Sequence, residues 1–256
     1  MSPQRKSKKK KKIEGDRYHY IPQHILKNHA GPCGYLDLLN ARGLNTWRYN
    51  CSSKSVGYKT FLVRSSKDIM HSNESWLAGI EGKGNGVLRE ILRDEKGDDR
   101  SRAIVVKEYV ASIVSRNPYI LSRWEKARGR GCYDPYRWAR VRFDRNRSLR
   151  GDITELTRSM DGAGVVVAEI KRGKGIPCGD VPWIIDSGTL WLIFSPRILI
   201  GIDRGQGKEP LRHIELSEKE SDALRFLVLD NPVHYLYVSS DDPAVSTADR
   251  LDDPAL

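Results

Sequence analysis

Residues 165–202 constrain the fold more than any other part of the chain, because they hold its longest apolar runs and its densest cluster of turn residues. The stretch reads VVVAEIKRGKGIPCGDVPWIIDSGTLWLIFSPRILIGI. Three β-branched or apolar runs are separated by Gly-Lys-Gly, Pro-Cys-Gly-Asp and Asp-Ser-Gly, a composition that is typical of short strands joined by tight turns. The stretch therefore predicts the core sheet of the molecule.

The segments outside this stretch predict further helices and strands. Residues 99–116 have the clearest helical periodicity and end at Asn117-Pro118, since the residue before a proline avoids the helical region. Residues 217–229 predict an amphipathic helix that starts with a Ser-x-x-Glu capping box. Strands are predicted at residues 46–49, 58–64 and 233–238. This order predicts an α+β fold, in which a mixed or antiparallel core sheet is combined with several helices inserted between N-terminal and C-terminal strands.

A helical pattern between Glu74 and Asp94 is interrupted by glycines. Trp76, Leu77 and Ile80 are near helical spacing, but four glycines follow, at positions 79, 82, 84 and 86. Each glycine costs a helix about 1 kcal/mol relative to alanine. The pattern therefore predicts either a break in the helix or a close approach of its backbone to another element.

The charge is distributed unevenly along the 256 residues, although the net charge is +11. Residues 1–15 carry seven bases and one acid, and residues 215–256 carry ten acids and three bases. The first segment has nothing to bury and predicts a disordered basic arm, and residues 241–256 predict a disordered acidic tail. Residues 16–240 are long enough to form one α+β domain with a sizeable core.

The composition favours a cytoplasmic protein without transmembrane segments. No apolar run reaches the roughly 18 residues that span a bilayer, and no apolar region follows the basic arm as it would in a secretory signal. The four cysteines, at positions 33, 51, 132 and 178, contain no Cys-x-x-Cys pair, so we expect reduced thiols.

Two basic segments favour nucleic acid as a partner, although the sequence also leaves a protein partner open. Residues 123–150 contain nine arginines and one lysine among aromatic residues, a mixture that suits phosphate contact and base stacking. The alternative is a pair of amphipathic helices whose aromatics are core and whose arginines are solvated. The candidate nucleic-acid-binding residues are Lys8, Lys9 and Lys10 of the arm and Arg128, Arg130, Arg137, Arg140 and Arg142 of the second segment.

Asp161 and Glu169-Ile-Lys171 have the composition of a metal-dependent nuclease site. In such a site the two carboxylates hold Mg²⁺ and the lysine stabilises the attacking water or the phosphate charge. The alternative is an exposed strand end whose Glu-x-Lys arises by chance, and cofactor use is otherwise open.

Three histidines near the N-terminus do not predict a shared metal. His19, His24 and His29 are five residues apart, a spacing that places them on different sides of a helix. His19 alone is either a general base or a core histidine that is hydrogen-bonded to a carbonyl group.

The order of several short motifs resembles the bacterial domain-of-unknown-function family 4238 over residues 16–240. The motifs are Tyr18-His19-Tyr20-Ile21-Pro22-Gln23, Ile80-Glu81-Gly82, Arg116-Asn117-Pro118, Gly179-Asp180-Val181-Pro182, Phe194-Ser195-Pro196 and a segment from Asn231 to Tyr237-Val238-Ser239. Members of that family typically open with His-Tyr-Val-Pro-Gln and carry a Ser-Asp-x-Pro turn and a Pro-Leu-Ser-Pro segment. Here Gly179 stands where the serine is usual, which argues against any role for that hydroxyl.

The resemblance implies that His19, Gln23, Arg116 and Asp180 are the polar positions of the shared pattern. If they converge, the arginine suits an anionic group and His19 or Asp180 suits proton transfer, as at a site for a phosphate-bearing substrate. The alternative is that His19 and Asp180 tie the N-terminal segment to the core-sheet turn through buried hydrogen bonds.

The sequence thus leaves open whether the protein is an enzyme. The first hypothesis is a nuclease-like or defence-related protein that acts on nucleic acid, with the basic segments as its docking surface. The second is a non-catalytic module that binds nucleic acid or protein. The third is an enzyme for a small anionic substrate.

Overall fold

The apolar runs of residues 165–202 form most of a five-stranded sheet. The computed structural model describes residues 17–32, 34–40, 46–60, 64–117, 135–141, 148–205, 209–229 and 235–239. The predicted arm at residues 1–15 and the predicted tail at residues 241–256 lie outside these ranges.

The described strands fall into an N-terminal group and a C-terminal group, with four consecutive helices between them. The strands are β1 (Arg17–His19), β2 (Tyr35–Asn40), β3 (Thr46–Ser52), β4 (Tyr58–Thr60), β5 (Gly164–Glu169), β6 (Cys178–Gly179), β7 (Trp183–Asp186), β8 (Thr189–Ser195), β9 (Ile198–Asp203), β10 (Leu211–Glu215) and β11 (Tyr235–Ser239). The helices are α1 (Gln23–His29), α2 (Arg64–Leu92), α3 (Asp99–Arg116), α4 (Pro135–Ala139), α5 (Leu149–Ser159) and α6 (Glu218–Leu229).

The core sheet has the strand order β10-β5-β9-β8-β7. β10 runs parallel to β5, and the other neighbours run antiparallel. β5 and β8 are buried along almost their whole length, which explains why their sequences are continuous apolar runs rather than alternating ones. A mixed core sheet together with helices that lie between the N-terminal and C-terminal strands confirms the predicted α+β class.

Two details of the 165–202 stretch differ from the prediction of three apolar runs in one sheet. The apolar run of residues 190–202 contains two strands, β8 and β9, which pair with each other across a turn at Pro196. Cys178 and Gly179 leave the core sheet and pair with β11, so that a second sheet has the order β3-β2-β11-β6. The pairing of β6 with β11 joins residues far apart in the sequence, which no local pattern specifies.

α2 and α3 pack against each other beside the core sheet, and α3 also contacts β5 and β10. α3 starts at the N-cap Asp98, whose carboxylate accepts hydrogen bonds from the backbone N–H groups of Arg100 (3.3 Å) and Ser101 (3.2 Å). It ends at Arg116 because the next residue, Asn117, is extended. α1 packs on β8 and β11, and α6 packs on β7.

α2 is continuous through its four glycines, so the predicted break is wrong. The alternative, a close approach, is confirmed at Gly84, where a Cβ atom would lie 2.5 Å from Cβ of Tyr109. Tertiary packing on α3 offsets the low helix propensity of this segment. Across the described ranges, no helix has both the length and the apolarity to cross a membrane.

Candidate functional site

A cleft of about 420 Å³ lies where the start of α1 faces α2 and the last residue of α3. On α2 the lining residues Glu74, Ala78 and Glu81 share one helix face, because they are spaced by four and three residues. The polar and charged side chains that line the cleft are His19, Gln23, His24, Lys27, Glu74, Glu81 and Arg116. Three of the four polar residues predicted from the resemblance therefore share this cleft, and Asp180 does not line it.

Arg116 is the most buried charged group of the cleft. Its side chain is 3% exposed, and Nη1 donates a hydrogen bond to Oε1 of Glu81. Nε and Nη2 are also buried, and they have no hydrogen-bond partner within the described part of the chain. The position at the carboxyl end of α3 favours a cation, because the helix dipole is negative there. Arg116 is therefore a fixed cation with one carboxylate partner and two further donor groups.

His19 and Gln23 contact each other at the start of α1. His19 is the last residue of β1 and is half-buried, and its Nε2 lies 3.0 Å from Nε2 of Gln23. An amide nitrogen can only donate, so in this pairing the His19 Nε2 accepts. With Nε2 as the acceptor, the His19 ring presents a nitrogen lone pair on the Gln23 side.

His24 is held between Tyr109 and Phe194. Its Nε2 contacts the Tyr109 hydroxyl group, and its ring centroid lies 5.6 Å from that of Tyr109 and 6.2 Å from that of Phe194. Burial lowers the pKa of His24 to about 4, although Glu81 opposes this shift. Burial also raises the pKa of Tyr109 well above its ordinary value. At neutral pH the pair is therefore an uncharged imidazole beside a protonated phenol.

Asp180 lies in a buried polar cluster behind the cleft. It is 1% exposed, and its Oδ1 accepts hydrogen bonds from the hydroxyl groups of Tyr20 (3.0 Å) and Tyr237 (2.7 Å). Its backbone carbonyl accepts a further bond of 2.9 Å from Nδ2 of Asn117. For Asp180, these contacts match the alternative in which buried hydrogen bonds tie the N-terminal segment to the core-sheet turn.

The structure does not bring Asp161 and Glu169 together. Asp161 precedes β5 and Glu169 is its last residue, so the two carboxylates are separated by a strand of about 16 Å. Lys171 is exposed and pairs with Glu215 at 3.0 Å. Over the described ranges no group of three or more His, Cys, Asp or Glu residues is placed to hold a metal ion. These observations do not support the Mg²⁺ site of Asp161, Glu169 and Lys171, which stays a prediction.

Most of the predicted nucleic-acid-binding residues lie outside the described residues. These are Lys8, Lys9, Lys10, Arg128, Arg130 and Arg142, together with the side chain of Arg137. Arg140 is exposed. Tyr136 is 1% exposed, and Trp138 donates from Nε1 to the carbonyl of Gly188 at 2.7 Å. Tyr136 is part of the core and Trp138 packs against it, as expected if the aromatics of this segment are core residues, and binding of nucleic acid by the segment stays a prediction.

Sequence reasoning did not identify several members of the cleft as functional. Glu81 was visible as part of the Ile80-Glu81-Gly82 motif, but its pairing with Arg116 depends on the packing of α2 on α3. His24 was considered only as a metal ligand, and Tyr109 lies within the helix predicted at residues 99–116 without a motif of its own. Glu74 and Lys27 have no local signal, since exposed charges on helices are common.

No family model, curated protein or solved structure matches the chain. The resemblance to family 4238 stays a prediction.

Proposed function

We propose that the cleft binds one phosphodiester group and hydrolyses it, so that the protein is a nuclease-like enzyme, and that the chain belongs to family 4238. The observation that carries this proposal is Arg116, a buried cation with two donor groups that make no hydrogen bond within the described residues. A guanidinium group matches two oxygens of a phosphate group in a bidentate arrangement.

The charge of the cleft favours a monoanion over a dianion. Lys27 and Arg116 are balanced by Glu74 and Glu81 among the lining residues. A phosphodiester carries one negative charge, whereas a phosphate monoester carries about 1.5 to 2 at neutral pH. The second charge of a monoester would lie near two carboxylates, so we expect the cleft to select diesters.

His19 is proposed as the group that accepts a proton. On binding, Gln23 donates to a phosphate oxygen instead of to His19, which frees Nε2. Water then attacks phosphorus, His19 takes one proton from that water, and the bond from phosphorus to the leaving oxygen breaks. Solvent protonates the leaving oxygen, and His19 returns its proton to solvent. Arg116 stabilises the charge that grows on the phosphoryl oxygens.

The experiment compares bis(p-nitrophenyl) phosphate with p-nitrophenyl phosphate, in EDTA and in Mg²⁺, and adds labelled single-stranded DNA and RNA. We expect turnover of the diester in preference to the monoester. H19A is expected to lower kcat by about 100-fold or more, the usual contribution of a general base. R116K is expected to raise KM, because lysine keeps the charge and loses the bidentate geometry.

Binding of oligonucleotide without turnover in either buffer would instead support a non-catalytic module. Loss of activity in H19A together with a lower unfolding midpoint would leave the role of His19 unproven, so Q23A, which changes a half-buried residue, serves as the second variant. A Q23A protein with the parental midpoint and unchanged kinetics contradicts the proposed role of Gln23.

The volume of the cleft also favours a second candidate, an enzyme for a small anionic substrate. About 420 Å³ lies within the range of small-molecule sites, which is roughly 300 to 1,000 Å³. The discriminating measurement is deletion of residues 1–15. A docking arm for a polymer contributes to KM for DNA or RNA and not to KM for the small diester.

A further inference from the structure

We infer that Asp180 is a positioning residue that fixes the positions of His19 and Arg116 relative to each other at the cleft. This inference rests on the proposed function for the roles of those two side chains. Asp180 itself is buried and outside the cleft, so it has no contact with a bound group.

The first link runs from Asp180 to His19. Tyr20, the next residue after His19, donates from its hydroxyl group to Oδ1 of Asp180 at 3.0 Å. Tyr20 is 8% exposed, and its backbone N–H also donates to the carbonyl of Gly57 at 3.1 Å. Consecutive Cα atoms are 3.8 Å apart across a trans peptide. A fixed Tyr20 therefore leaves little freedom for the backbone of His19.

The second link runs from Asp180 to Arg116. Asn117 follows Arg116 directly, is completely buried, and donates from Nδ2 to the backbone carbonyl of Asp180 at 2.9 Å. Asn117 is also where α3 ends, so no further helical turn supports Arg116 on that side. The bond to Asp180 fixes the end of α3 and with it the direction of the guanidinium group.

Tyr237 completes the cluster from β11. Its hydroxyl group lies 2.7 Å from Oδ1 of Asp180 and 3.4 Å from the hydroxyl group of Tyr20. Burial, and then the charge of Asp180, raise the pKa of Tyr237 well above its ordinary value, so the phenol stays protonated and continues to donate. The cluster thus joins the N-terminal segment, the end of α3, the turn before β7 and the second sheet at one carboxyl group.

The two links predict different kinetic effects when each is broken separately. Y20F frees the His19 side, so we expect kcat to fall about tenfold with little change in KM. N117A frees the Arg116 side, so we expect KM to rise by a similar factor with a smaller change in kcat. D180N keeps the shape but changes the acceptor of both phenols, and both constants are expected to change.

D203N is the matched control. Asp203 is likewise a buried carboxylate, 7% exposed, and accepts hydrogen bonds from Arg212 (2.5 Å) and from the backbone N–H of Gly205 (2.8 Å) in the core sheet. We expect D203N to lower the unfolding midpoint and to leave kcat and KM for the diester unchanged. If D180N does not fold, Y20F and N117A decide the question.

A second readout separates this inference from the proposed function. In protein with isotope-labelled histidine, the His19 ring signal is assigned by its loss in H19Q, and its titration is followed by NMR. We expect Y20F and D180N, but not D203N, to shift the His19 signal and its midpoint. If these shifts occur in a protein that hydrolyses nothing, the positioning role stands and the proposed reaction fails. If turnover occurs and all three cluster variants keep the parental kinetics and the parental His19 titration, Asp180 has no positioning role.

Discussion

Arg116 and Glu81 form a pair whose stability depends on both partners. The guanidinium group is almost completely buried and the Glu81 side chain is 23% exposed. Removing one partner leaves a buried charge without compensation, whereas replacing both by apolar groups is often close to neutral. A change at either residue alone is therefore expected to destabilise the protein more than a change of both to apolar residues.

We predict that E81A lowers the free energy of unfolding by about 3 kcal/mol and that E81M/R116M lowers it by less. Urea unfolding of the single and double variants measures the coupling. The control is the exposed pair of Arg158 and Glu155, 3.2 Å apart with side chains 68% and 37% exposed, whose coupling we expect to be below about 0.5 kcal/mol. Equal coupling in the two pairs would contradict the burial argument.

Two histidines with lowered pKa values, one buried and one partly buried, predict loss of stability in acid. Burial lowers the pKa of His29 to about 3 and that of His24 to about 4, both from 6.5. The unfolded chain therefore binds more protons than the folded chain below pH 6.5. The stability is complete above that pH, and each histidine costs about 1.4 kcal/mol for every pH unit below it, until its folded pKa is reached.

The measurement is the free energy of unfolding at pH 7.5, 6.5, 5.5 and 4.5. We expect H29M to reduce the slope between pH 6.5 and 4.5 by about one proton, whatever it does to stability at pH 7.5. The exposed histidine of β10, His213, provides the control, and H213Q is expected to keep the parental slope. A parental slope in H29M would show that His29 is not buried in its neutral form.

At the scale of single residues, the sequence indicated candidate polar residues but did not indicate which atoms they contact. His19, Gln23 and Arg116 were selected from short motifs, and they line one cleft. Asp180 was selected in the same way, but its carboxylate faces Tyr20 and Tyr237. A short motif gives residue types and their order. It does not show whether those side chains contact a ligand or make buried hydrogen bonds within the protein.

At the scale of elements, α2 shows that tertiary packing can outweigh low helix propensity. Its glycines suggested a break, yet the helix runs from Arg64 to Leu92. The space beside each glycine explains the difference. Gly84 is required by the ring of Tyr109, while a Cβ atom at Gly79 or Gly82 would meet nothing within 4 Å.

We therefore predict opposite effects for the same substitution along one helix. G79A and G82A are expected to stabilise the protein by about 0.5 to 1 kcal/mol each, because both sites are exposed and alanine is the better helix former. G84A is expected to destabilise it by about 1 to 3 kcal/mol through overpacking against Tyr109. Thermal unfolding and helical circular dichroism of the three variants test this order. A stabilising G84A would mean that α2 and α3 separate more easily than their contact indicates.

At the scale of the whole molecule, the α+β class could be predicted from the sequence, whereas the contacts between distant segments could not. The runs of β5, β8 and β9 are apolar on both faces, which is a local property that composition reports. The pairing of β6 with β11, and the meeting of α1 with α2 and Arg116 in the cleft, join segments that are tens of residues apart in the sequence. Such contacts depend on how the apolar faces of all helices and strands are buried together. Local patterns in one sequence do not show this arrangement.

The net charge of +11 leads to a prediction for the intact chain. If residues 1–15 contact a nucleic-acid backbone, each base that meets a phosphate releases counterions, and the logarithm of the binding constant falls with the logarithm of salt concentration by about 0.7 per contact on a single strand. Deletion of these seven bases is then expected to reduce the salt slope for a fluorescent oligonucleotide by about 3 to 5.

R140Q is the control for a single exposed base, and we expect it to reduce that slope by less than about 1. The hydrolysis of bis(p-nitrophenyl) phosphate is expected to be the same in the full and the shortened chain, because the proposed role of residues 1–15 is to contact the phosphates of a longer strand, which the small diester lacks. A shortened chain that keeps the salt slope excludes the arm as a docking surface. A shortened chain that loses hydrolysis of the small diester would place the arm at the reacting group, and the separation of binding from chemistry proposed for this molecule would be wrong.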